Sequence, residues 1–304
     1  HERSSAASDV YKRQGSGEEA DLFLGMKVEI DRENQLLRLS GETTTNNLLH
    51  YASTYFDQNK HRKTPLPIET NLDRRYENEA HIPETDFPYR HIVGSLAHMA
   101  RTFRPDLAHP VSELSRHLGS TAERHIHMCK CVLIYPNSTK TLGIVYHGGQ
   151  SPLNADRIQT YCDADWAGDH ETRKSRSGYV IMQNEGCTDW YSKAQPLVSS
   201  SSCESETISA VEALKTVVGL RILLIELGAA QPGASTLRVD NMALALNSAN
   251  EKQSKRSKHF QIRTEMLRGY TRLGRVQLAK IHTSENISDL LTKILDAKTF
   301  IRFR

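Results

Sequence analysis

The sequence predicts a mixed α/β protein (α+β mixed) with two domains, a small α+β domain over residues 21–150 and a second domain over residues 155–304. Three observations support this prediction. A length of 304 residues suits about two domains. Strand-like and helix-like apolar patterns alternate along the second half, which favours a mixed sheet covered by helices. A stretch rich in Gly and Pro, residues 148–154, is typical of a linker.

The composition limits the classes of protein to consider. Hydrophobic residues make up 38% of the chain and charged residues 25%, and the net charge of +3 is too small to indicate a nucleic-acid partner by itself. The five cysteines are odd in number and follow no secreted disulfide pattern. An apolar run near residues 220–227 is interrupted by Arg221 and Glu226 and is too short to cross a bilayer. We therefore expect a cytoplasmic or nuclear protein that is neither secreted nor membrane-bound.

The first domain is predicted to follow an N-terminal segment, residues 1–20, that lacks apolar periodicity, is expected to be disordered and need not be native sequence. Alternation, helical spacing and the positions of Pro predict the elements that come next. They are a first strand over 22–30, a returning strand over 35–39, helices over 46–56, 89–103, 107–118 and 122–133, and a strand over 142–146.

The second domain is predicted to run β-β-β-α-β-α, then a basic helix, a strand and a last helix. The predicted elements are strands over 159–163, 178–183 and 189–192, a helix over 203–227, a strand over 236–239, a helix from 241, the basic helix over 260–273, a strand over 276–281 and a helix from 288. Gly228 is a suitable residue to end the long helix.

Four acidic residues of the second domain are the main candidates for chemistry, each at a strand end or helix start: Asp163, Glu206, Asp240 and Asp289. Taken singly, Asp163 suits a turn, Glu206 suits the positive end of a helix dipole, and Asp240 or Asp289 suits a helix N-terminus. Together they favour one shared site, because clustered carboxylates repel one another unless a cation lies between them. Oxygen ligands of this kind suit Mg²⁺ or Mn²⁺, and two such ions promote phosphodiester hydrolysis.

Weaker candidates have ordinary structural explanations beside the functional ones. His282 lies seven residues before Asp289 and is a candidate proton shuttle. The basic residues between 252 and 275 suit either a solvated helix face or a phosphate-binding surface. The alternating His and Cys residues over 125–131 are not predicted to bind zinc, because alternate positions diverge on a helix. Residues 199–202 are predicted to be a loop and N-cap rather than a nucleophile.

The motifs that carry these residues resemble the Pol polyprotein of copia-type (Pseudoviridae-like) retrotransposons, at the C-terminal part of its reverse transcriptase and its RNase H domain. In the second domain the resemblance covers DADWAGD (Asp163–Asp169), RKSRSGYV (Arg173–Val180), SKAQPLVSSSSCESE (Ser192–Glu206), VDN (Val239–Asn241), SKHFQIR (Ser257–Arg263) and SDLLTK (Ser288–Lys293). In the first domain it covers FLGMKVEI (Phe23–Ile30), the segment Tyr89–Arg116 and LGIVYHGG (Leu142–Gly149).

The resemblance implies an RNase H-like fold, with a mixed five-stranded sheet and flanking helices, that hydrolyses the RNA strand of RNA–DNA hybrids. It implies that Asp163, Glu206, Asp240 and Asp289 hold two Mg²⁺ ions, with Mn²⁺ as a substitute, and no small-molecule cofactor. It also implies recognition of the hybrid by shape and 2′-hydroxyl. The implied nucleic-acid contacts are Arg176, Ser177, Asn241, Lys258, His259 and Arg263.

The resemblance also has implications for the first domain, the partner and the cellular location. The first domain matches a reverse-transcriptase thumb and connection region, and the family's Tyr-x-Asp-Asp polymerase turn is not in this sequence. We therefore expect no DNA synthesis from this chain alone, a missing polymerase portion as a partner, and a virus-like particle in the cytoplasm, or the nucleus, as the location.

Two alternatives stay open. Cys203 and Thr207 stand where the family has Thr and Tyr, which suggests a catalytically decayed remnant that still binds nucleic acid. The second alternative is an integrase-type nuclease. It fits less well, because integrases imply three carboxylates and an N-terminal zinc module. A measurement of metal-dependent cleavage would distinguish an active enzyme from a catalytically decayed remnant.

Overall fold

The structure is a computed structural model that describes residues 21–70, 76, 78–148, 157–241 and 261–304. The predictions of a disordered N-terminal segment and of a helix after Asn241 concern residues outside these ranges, as does the predicted linker over 148–154 apart from Gly148. The same is true of the basic residues between 252 and 260, which include Lys258 and His259.

The first domain contains four strands and four α-helices among its described residues. They are β1 (Leu22–Phe23), β2 (Met26–Asp31), β3 (Leu36–Ser40), α1 (Glu42–Tyr51), α2 (Tyr89–Thr102), α3 (Ala108–Ser115), α4 (Glu123–Ser138) and β4 (Gly143–His147), with a 3₁₀ turn at Pro105–Leu107. The strands form an antiparallel sheet in the order β1-β2-β3-β4. The predicted single strand over 22–30 is wrong, because Leu24 and Gly25 take positive φ angles of 50° and 79° and turn the chain back on itself.

The helices of the first domain enclose an apolar core. On α2 the buried residues Ile92, Leu96 and Met99 follow the predicted helical spacing. Helix α4 continues to Ser138, beyond the predicted end at 133, with Pro136 inside it. The buried Tyr135 hydroxyl donates a 2.5 Å hydrogen bond to Asp106. This bond anchors the last turn of α4, where proline alone would favour an end.

The second domain contains five strands and three α-helices among its described residues. They are β5 (Gln159–Asp165), β6 (Arg176–Gln183), β7 (Gly186–Ala194), α5 (Ser202–Glu226), β8 (Ser235–Val239), α6 (Gln261–Arg272), β9 (Val276–Lys280) and α7 (Ala297–Phe303), with 3₁₀ turns at Thr283–Glu285 and Ile287–Leu291. The strand order is β7-β6-β5-β8-β9. Strands β5, β6 and β7 pair antiparallel, whereas β8 pairs parallel with β5 and with β9. This order and these directions form the mixed five-stranded sheet that the resemblance implies.

The long helix α5 packs across this sheet. Its buried residues Val211, Leu214 and Val217 contact a core that includes Ile181 of β6 and Leu237 of β8. The N-terminus of α5 is capped by Ser201, whose hydroxyl accepts a hydrogen bond from the Glu204 amide. The helix therefore begins at a fixed point, one turn before Glu206.

The last predicted helix is displaced. Residues Ile287–Leu291 form a 3₁₀ turn instead of an α-helix. The Leu291 carbonyl accepts a 2.6 Å hydrogen bond from the Ser192 hydroxyl of β7, so it does not serve a following helical turn. An α-helix forms only at α7, where Asp296 accepts hydrogen bonds from two backbone amides, and Phe300 of α7 packs into the core of the first domain.

The two domains are joined by direct contacts. The Trp190 indole N–H donates a 2.6 Å hydrogen bond to the Ala100 carbonyl of α2, and the Tyr146 hydroxyl donates a 2.7 Å hydrogen bond to the Cys187 carbonyl of β7. Arg176 forms a buried ion pair with Glu113 of α3. None of the helices in the described part of the chain combines the length and hydropathy that crossing a bilayer requires.

Candidate metal centre

Asp163 is the central residue of the carboxylate cluster. It lies near the end of β5, the middle strand of the sheet, and only 1% of its surface is exposed. Across the antiparallel pair it faces Gly178 of β6. A Cβ atom at Gly178 would lie 2.6 Å from Thr292 Cγ2, so only glycine lets the turn that carries Asp289 approach the strand.

Glu206 and Asp240 reach the same place from other elements. Glu206 projects from the second turn of α5, and Asp240 follows the last residue of β8, which pairs parallel with β5. One carboxylate oxygen from each of Asp163, Glu206 and Asp240 lies within 4.8 Å of the other two. Three predicted candidates therefore converge at one edge of the sheet, as the carboxyl ends of neighbouring parallel strands favour.

Asp289, the fourth candidate, is linked to this cluster through a lysine. Lys293 Nζ lies 3.2 Å from Asp289 Oδ1 and 3.2 Å from Asp163 Oδ2, and the Thr292 hydroxyl donates a short hydrogen bond to Asp163. This Thr-Lys pair ends the SDLLTK motif (Ser288–Lys293), and its contacts with Asp163 were not predicted from the sequence. The spacing of Asp289 and Lys293 could have predicted their ion pair, because residues i and i+4 lie on the same side of a helical turn.

The electrostatics of the cluster favour a bound cation or a bound proton. Burial and the neighbouring Asp163 and Asp240 raise the pKa of Glu206 to about 9. Burial and Asp163 raise the pKa of Asp289 to about 6, and burial together with Asp163 raises the pKa of Asp240. These three carboxyl groups therefore resist ionisation unless positive charge is supplied.

The hydrogen bonding of Glu206 indicates whether a metal ion fits the site. Its Oε1 accepts a 3.3 Å hydrogen bond from the Ala164 amide, whereas its buried Oε2 has no hydrogen-bond partner among the described residues. A buried carboxylate oxygen without a partner is costly. Its position beside two further carboxylates makes it a suitable oxygen ligand for Mg²⁺ or Mn²⁺.

Buried hydrogen bonds hold the elements of the site in register. The Ser209 hydroxyl of α5 donates to the carbonyl of Asp163 at 2.7 Å. The Asn286 side-chain amide donates to the carbonyl of Cys162 at 3.0 Å, and Ser288 donates to Asn286 at 2.6 Å. The strand, the helix and the turn that bear the carboxylates are thus tied together by side chains that are not themselves acidic.

His282 lies next in sequence to a residue that contacts the carboxylate cluster. It is exposed, and its Nδ1 lies 2.7 Å from the Ser284 hydroxyl. The neighbouring Thr283 hydroxyl donates to Asp240 Oδ2 at 3.3 Å, so His282 is one residue away from a direct contact with the cluster.

The predicted nucleic-acid contacts fall into different settings. Arg176 is buried and paired with Glu113, with a further 2.8 Å hydrogen bond to Ser112. This buried position contradicts the expectation that Arg176 contacts phosphate, because Glu113 already balances the charge of Arg176 inside the protein. Ser177 is also buried, and its hydroxyl accepts a hydrogen bond from the Gln195 side chain.

The remaining predicted contacts are near the site or partly exposed. Asn241 directly follows Asp240 and is partly buried, and Arg263 is partly exposed on α6. Lys258 and His259 lie outside the described residues.

Known relatives match nearly the whole chain. It is 32% identical over 286 residues to the Retrovirus-related Pol polyprotein from transposon TNT 1-94 of Nicotiana tabacum, a match that covers 92% of this chain and 21% of that polyprotein. It is 31% identical over 286 residues to the Pol polyprotein from transposon RE2 of Arabidopsis thaliana, covering 94% of this chain and 19% of the relative. The chain belongs to the Pol polyproteins of copia-type retrotransposons, and it spans about a fifth of the length of these relatives.

Other comparisons cover smaller parts of the chain. A segment of 135 residues is 38% identical to a protein named secreted RxLR effector protein 161 of Plasmopara viticola, covering 44% of this chain and 92% of that protein. No family model matches the sequence. Among solved structures, LC11-RNase H1 in complex with an RNA/DNA hybrid aligns with 45% of this chain and 94% of that one, at 12% identity and a TM-score of 0.34.

Proposed function

We propose that the second domain is a metal-dependent endonuclease that hydrolyses the RNA strand of RNA–DNA hybrids. One observation carries the proposal: the carboxylates of Asp163, Glu206 and Asp240 lie within 4.8 Å of one another, with a buried oxygen of Glu206 lacking a partner. Membership of the Pol polyproteins supports it, because the motifs that carry these residues resemble the RNase H domain of that family.

Each residue has a role that follows from its position. Asp163, Glu206 and Asp240 would hold two Mg²⁺ ions, or Mn²⁺, with Asp289 as the outer ligand. When bound, these ions supply the charge that activates water and stabilises the leaving oxygen of a phosphodiester. Lys293 balances the charge of Asp163 and Asp289 before the ions bind. His282, which is exposed, would take up a proton as product leaves.

The hybrid would be bound by its shape and its 2′-hydroxyl groups rather than by base sequence. Asn241, beside the cluster, and Arg263, on α6, are the described residues proposed to contact its backbone. The polymerase portion of a reverse transcriptase is the proposed partner, and a cytoplasmic virus-like particle or the nucleus is the proposed location.

The test is cleavage of a labelled RNA–DNA hybrid by the purified chain with Mg²⁺, with Mn²⁺ and with EDTA. Single-stranded RNA and duplex DNA serve as substrate controls. We expect metal-dependent cutting of the RNA strand of the hybrid alone, and a loss of at least ~10³-fold in the Asp163→Asn variant, because removing a central metal ligand removes the charge stabilisation on which catalysis depends. Equal cleavage by a folded Asp163→Asn protein would overturn the assignment.

A second candidate function is a nucleic-acid-binding remnant without turnover. The observation that favours it is the ammonium group of Lys293, which bridges Asp163 and Asp289 and so meets part of the cluster's need for a cation. Hybrid binding with no product at any metal concentration would support the remnant and exclude the enzyme.

A further inference from the structure

Trp166 is exposed beside the carboxylate cluster. It lies three residues after Asp163 in the sequence, just past the end of β5, and half of its surface, 50%, is accessible to solvent. Its indole N–H donates a 3.2 Å hydrogen bond to the carbonyl of Ser199, in the loop that leads into α5. A large aromatic ring is therefore held at the surface instead of being packed in either core.

Two more apolar side chains are exposed in the same loop. Leu197 and Val198, which directly precede Ser199, are 67% and 56% exposed. We call Trp166, Leu197 and Val198 the apolar rim. One part of this rim follows the strand that carries Asp163, and the other part precedes the helix that carries Glu206. The hydrogen bond from Trp166 to Ser199 ties the two parts together.

The backbone around Trp166 is fixed. The following residue, Ala167, takes a φ angle of 54°, and its amide donates a 3.1 Å hydrogen bond to the Ser175 hydroxyl. The indole hydrogen bond to Ser199 holds the other end of the side chain. A ring fixed at both ends loses little conformational freedom when a ligand packs on it.

The charge of the site indicates what the rim contacts. The adjacent residues Asp163, Asp165 and Glu206 are acidic, so the phosphates of a nucleic-acid strand are repelled here until cations bind. Uncharged faces of the strand, its bases and sugars, are not repelled. An aromatic ring binds these faces by stacking, and such contacts are tolerant of sequence.

We propose that the apolar rim, through the exposed face of Trp166, packs against a base or sugar of the nucleic-acid strand that enters the carboxylate site. This inference rests on the proposed function and adds a contact residue to it. The rim would position the strand at the carboxylates without reading its sequence.

The test combines a binding measurement with the natural fluorescence of the chain. The chain has two tryptophans, and the other, Trp190, is engaged between the domains through Ala100. Hybrid is titrated into the full chain in Ca²⁺, so that binding is followed separately from cleavage, with the Trp166→Phe and Trp166→Ala variants in parallel. Ile222→Ala is the matched control, since Ile222 is 54% exposed on α5 and roughly 24 Å along the helix from Glu206 at about 1.5 Å per residue.

We expect hybrid to change the fluorescence of the wild type and of Ile222→Ala but not of Trp166→Phe. Trp166→Ala should weaken hybrid binding about tenfold, equivalent to ~1.4 kcal/mol, with Trp166→Phe intermediate. An unchanged Kd in folded Trp166→Ala, an unchanged fluorescence response in Trp166→Phe, or a wild type that binds no hybrid would each overturn the inference. Binding that shows these effects without any cleavage would support the rim contact while refuting the nuclease.

Discussion

Lys293 Nζ lies 3.2 Å from Oδ2 of Asp163, the most central carboxylate of the candidate metal centre. The same ammonium group lies 3.2 Å from Asp289 Oδ1, and the two carboxylates raise the pKa of Lys293, so it stays charged. The protein therefore carries one cation of its own within the cluster. This arrangement lowers the repulsion among the acidic residues while leaving Glu206 without a counter-charge of its own.

Replacing Lys293 with Gln should change stability and metal affinity in opposite directions. Without divalent metal, the variant should unfold at a lower temperature because Asp163 and Asp289 lose their paired charge. Its affinity for Mn²⁺ should rise several-fold because no ammonium competes for the same oxygens. Thermal unfolding and Mn²⁺ titration measure the two effects, with Lys298→Gln, an exposed lysine on α7, as control. Weaker Mn²⁺ binding would show instead that Lys293 positions the ligands.

The stability of the metal-free protein should fall as pH rises. Glu206 has a pKa of about 9 in the folded protein against an ordinary value of 4.5, so between these values the folded state keeps a proton that the unfolded state releases. The free energy of unfolding therefore decreases with pH across this window. The stabilisation by Mg²⁺ should grow over the same range, because the cation replaces that proton.

Denaturant unfolding in EDTA from pH 5 to pH 9 measures this effect, and Glu206→Gln should flatten the profile. A profile that rises with pH in the wild type, or an equal slope in the variant, would contradict the assignment of this linkage to Glu206. Asp289, with a pKa of about 6, should add to the fall mainly in the lower part of the range.

Sequence patterns predicted most of the second domain because its elements are long and its motifs are local. Helix α5 and strands β5 to β9 lie within a few residues of their predicted bounds, since burial on one face imposes a regular apolar spacing. In the first domain the prediction of one continuous strand over 22–30 was wrong, although the returning strand does pair antiparallel with its second part. Positive φ angles at Leu24 and Gly25 make a turn that no apolar spacing signals.

The four carboxylates were singled out from predicted strand ends and helix starts, although Asp163 lies inside β5 and Asp289 lies in a 3₁₀ turn. Their supporting contacts were not predicted. The Lys293 bridge, the Asn286 bond to Cys162 and the Glu113 pair with Arg176 join residues far apart in the chain or on different domains. Arg176 is an example. A basic residue in a motif of a nucleic-acid-binding family suggests a phosphate contact, and only the structure shows that Arg176 is paired with Glu113 inside the protein.

Arg176→Ala should destabilise the protein by ~1–3 kcal/mol, because it removes one of the two arginines paired with the buried Glu113 and leaves only Arg116. It should leave the salt dependence of hybrid binding unchanged, whereas Arg263→Ala should reduce the slope of log K against log salt by about one phosphate contact. Denaturant unfolding and hybrid titration between 50 and 200 mM salt measure the two effects. A reduced slope in Arg176→Ala would restore it as a phosphate contact.

Asn286→Ala should loosen the turn that carries Asp289. The buried Asn286 amide donates a hydrogen bond to the Cys162 carbonyl, next to Asp163, and the loss of this buried bond should cost ~1–3 kcal/mol. Cleavage at saturating hybrid should fall further than hybrid affinity, because the side chain positions ligands and is not exposed to substrate. Asn59→Ala, at an exposed position of the first domain, is the control; an equal loss of affinity and rate would indicate a general loss of folding.

Helix α7 follows the second domain in the sequence, yet its Phe300 packs into the core of the first, beside Tyr135. The two domains are therefore interleaved: the chain leaves the first domain, builds the second, and returns to complete the first. Neither half can unfold alone without disrupting the other, so denaturation should proceed in one concerted step. A fragment that holds only the second domain would leave Phe300 without its partners in the first. A chain cut after residue 296 would lack Phe300, which would leave a gap in the core of the first domain.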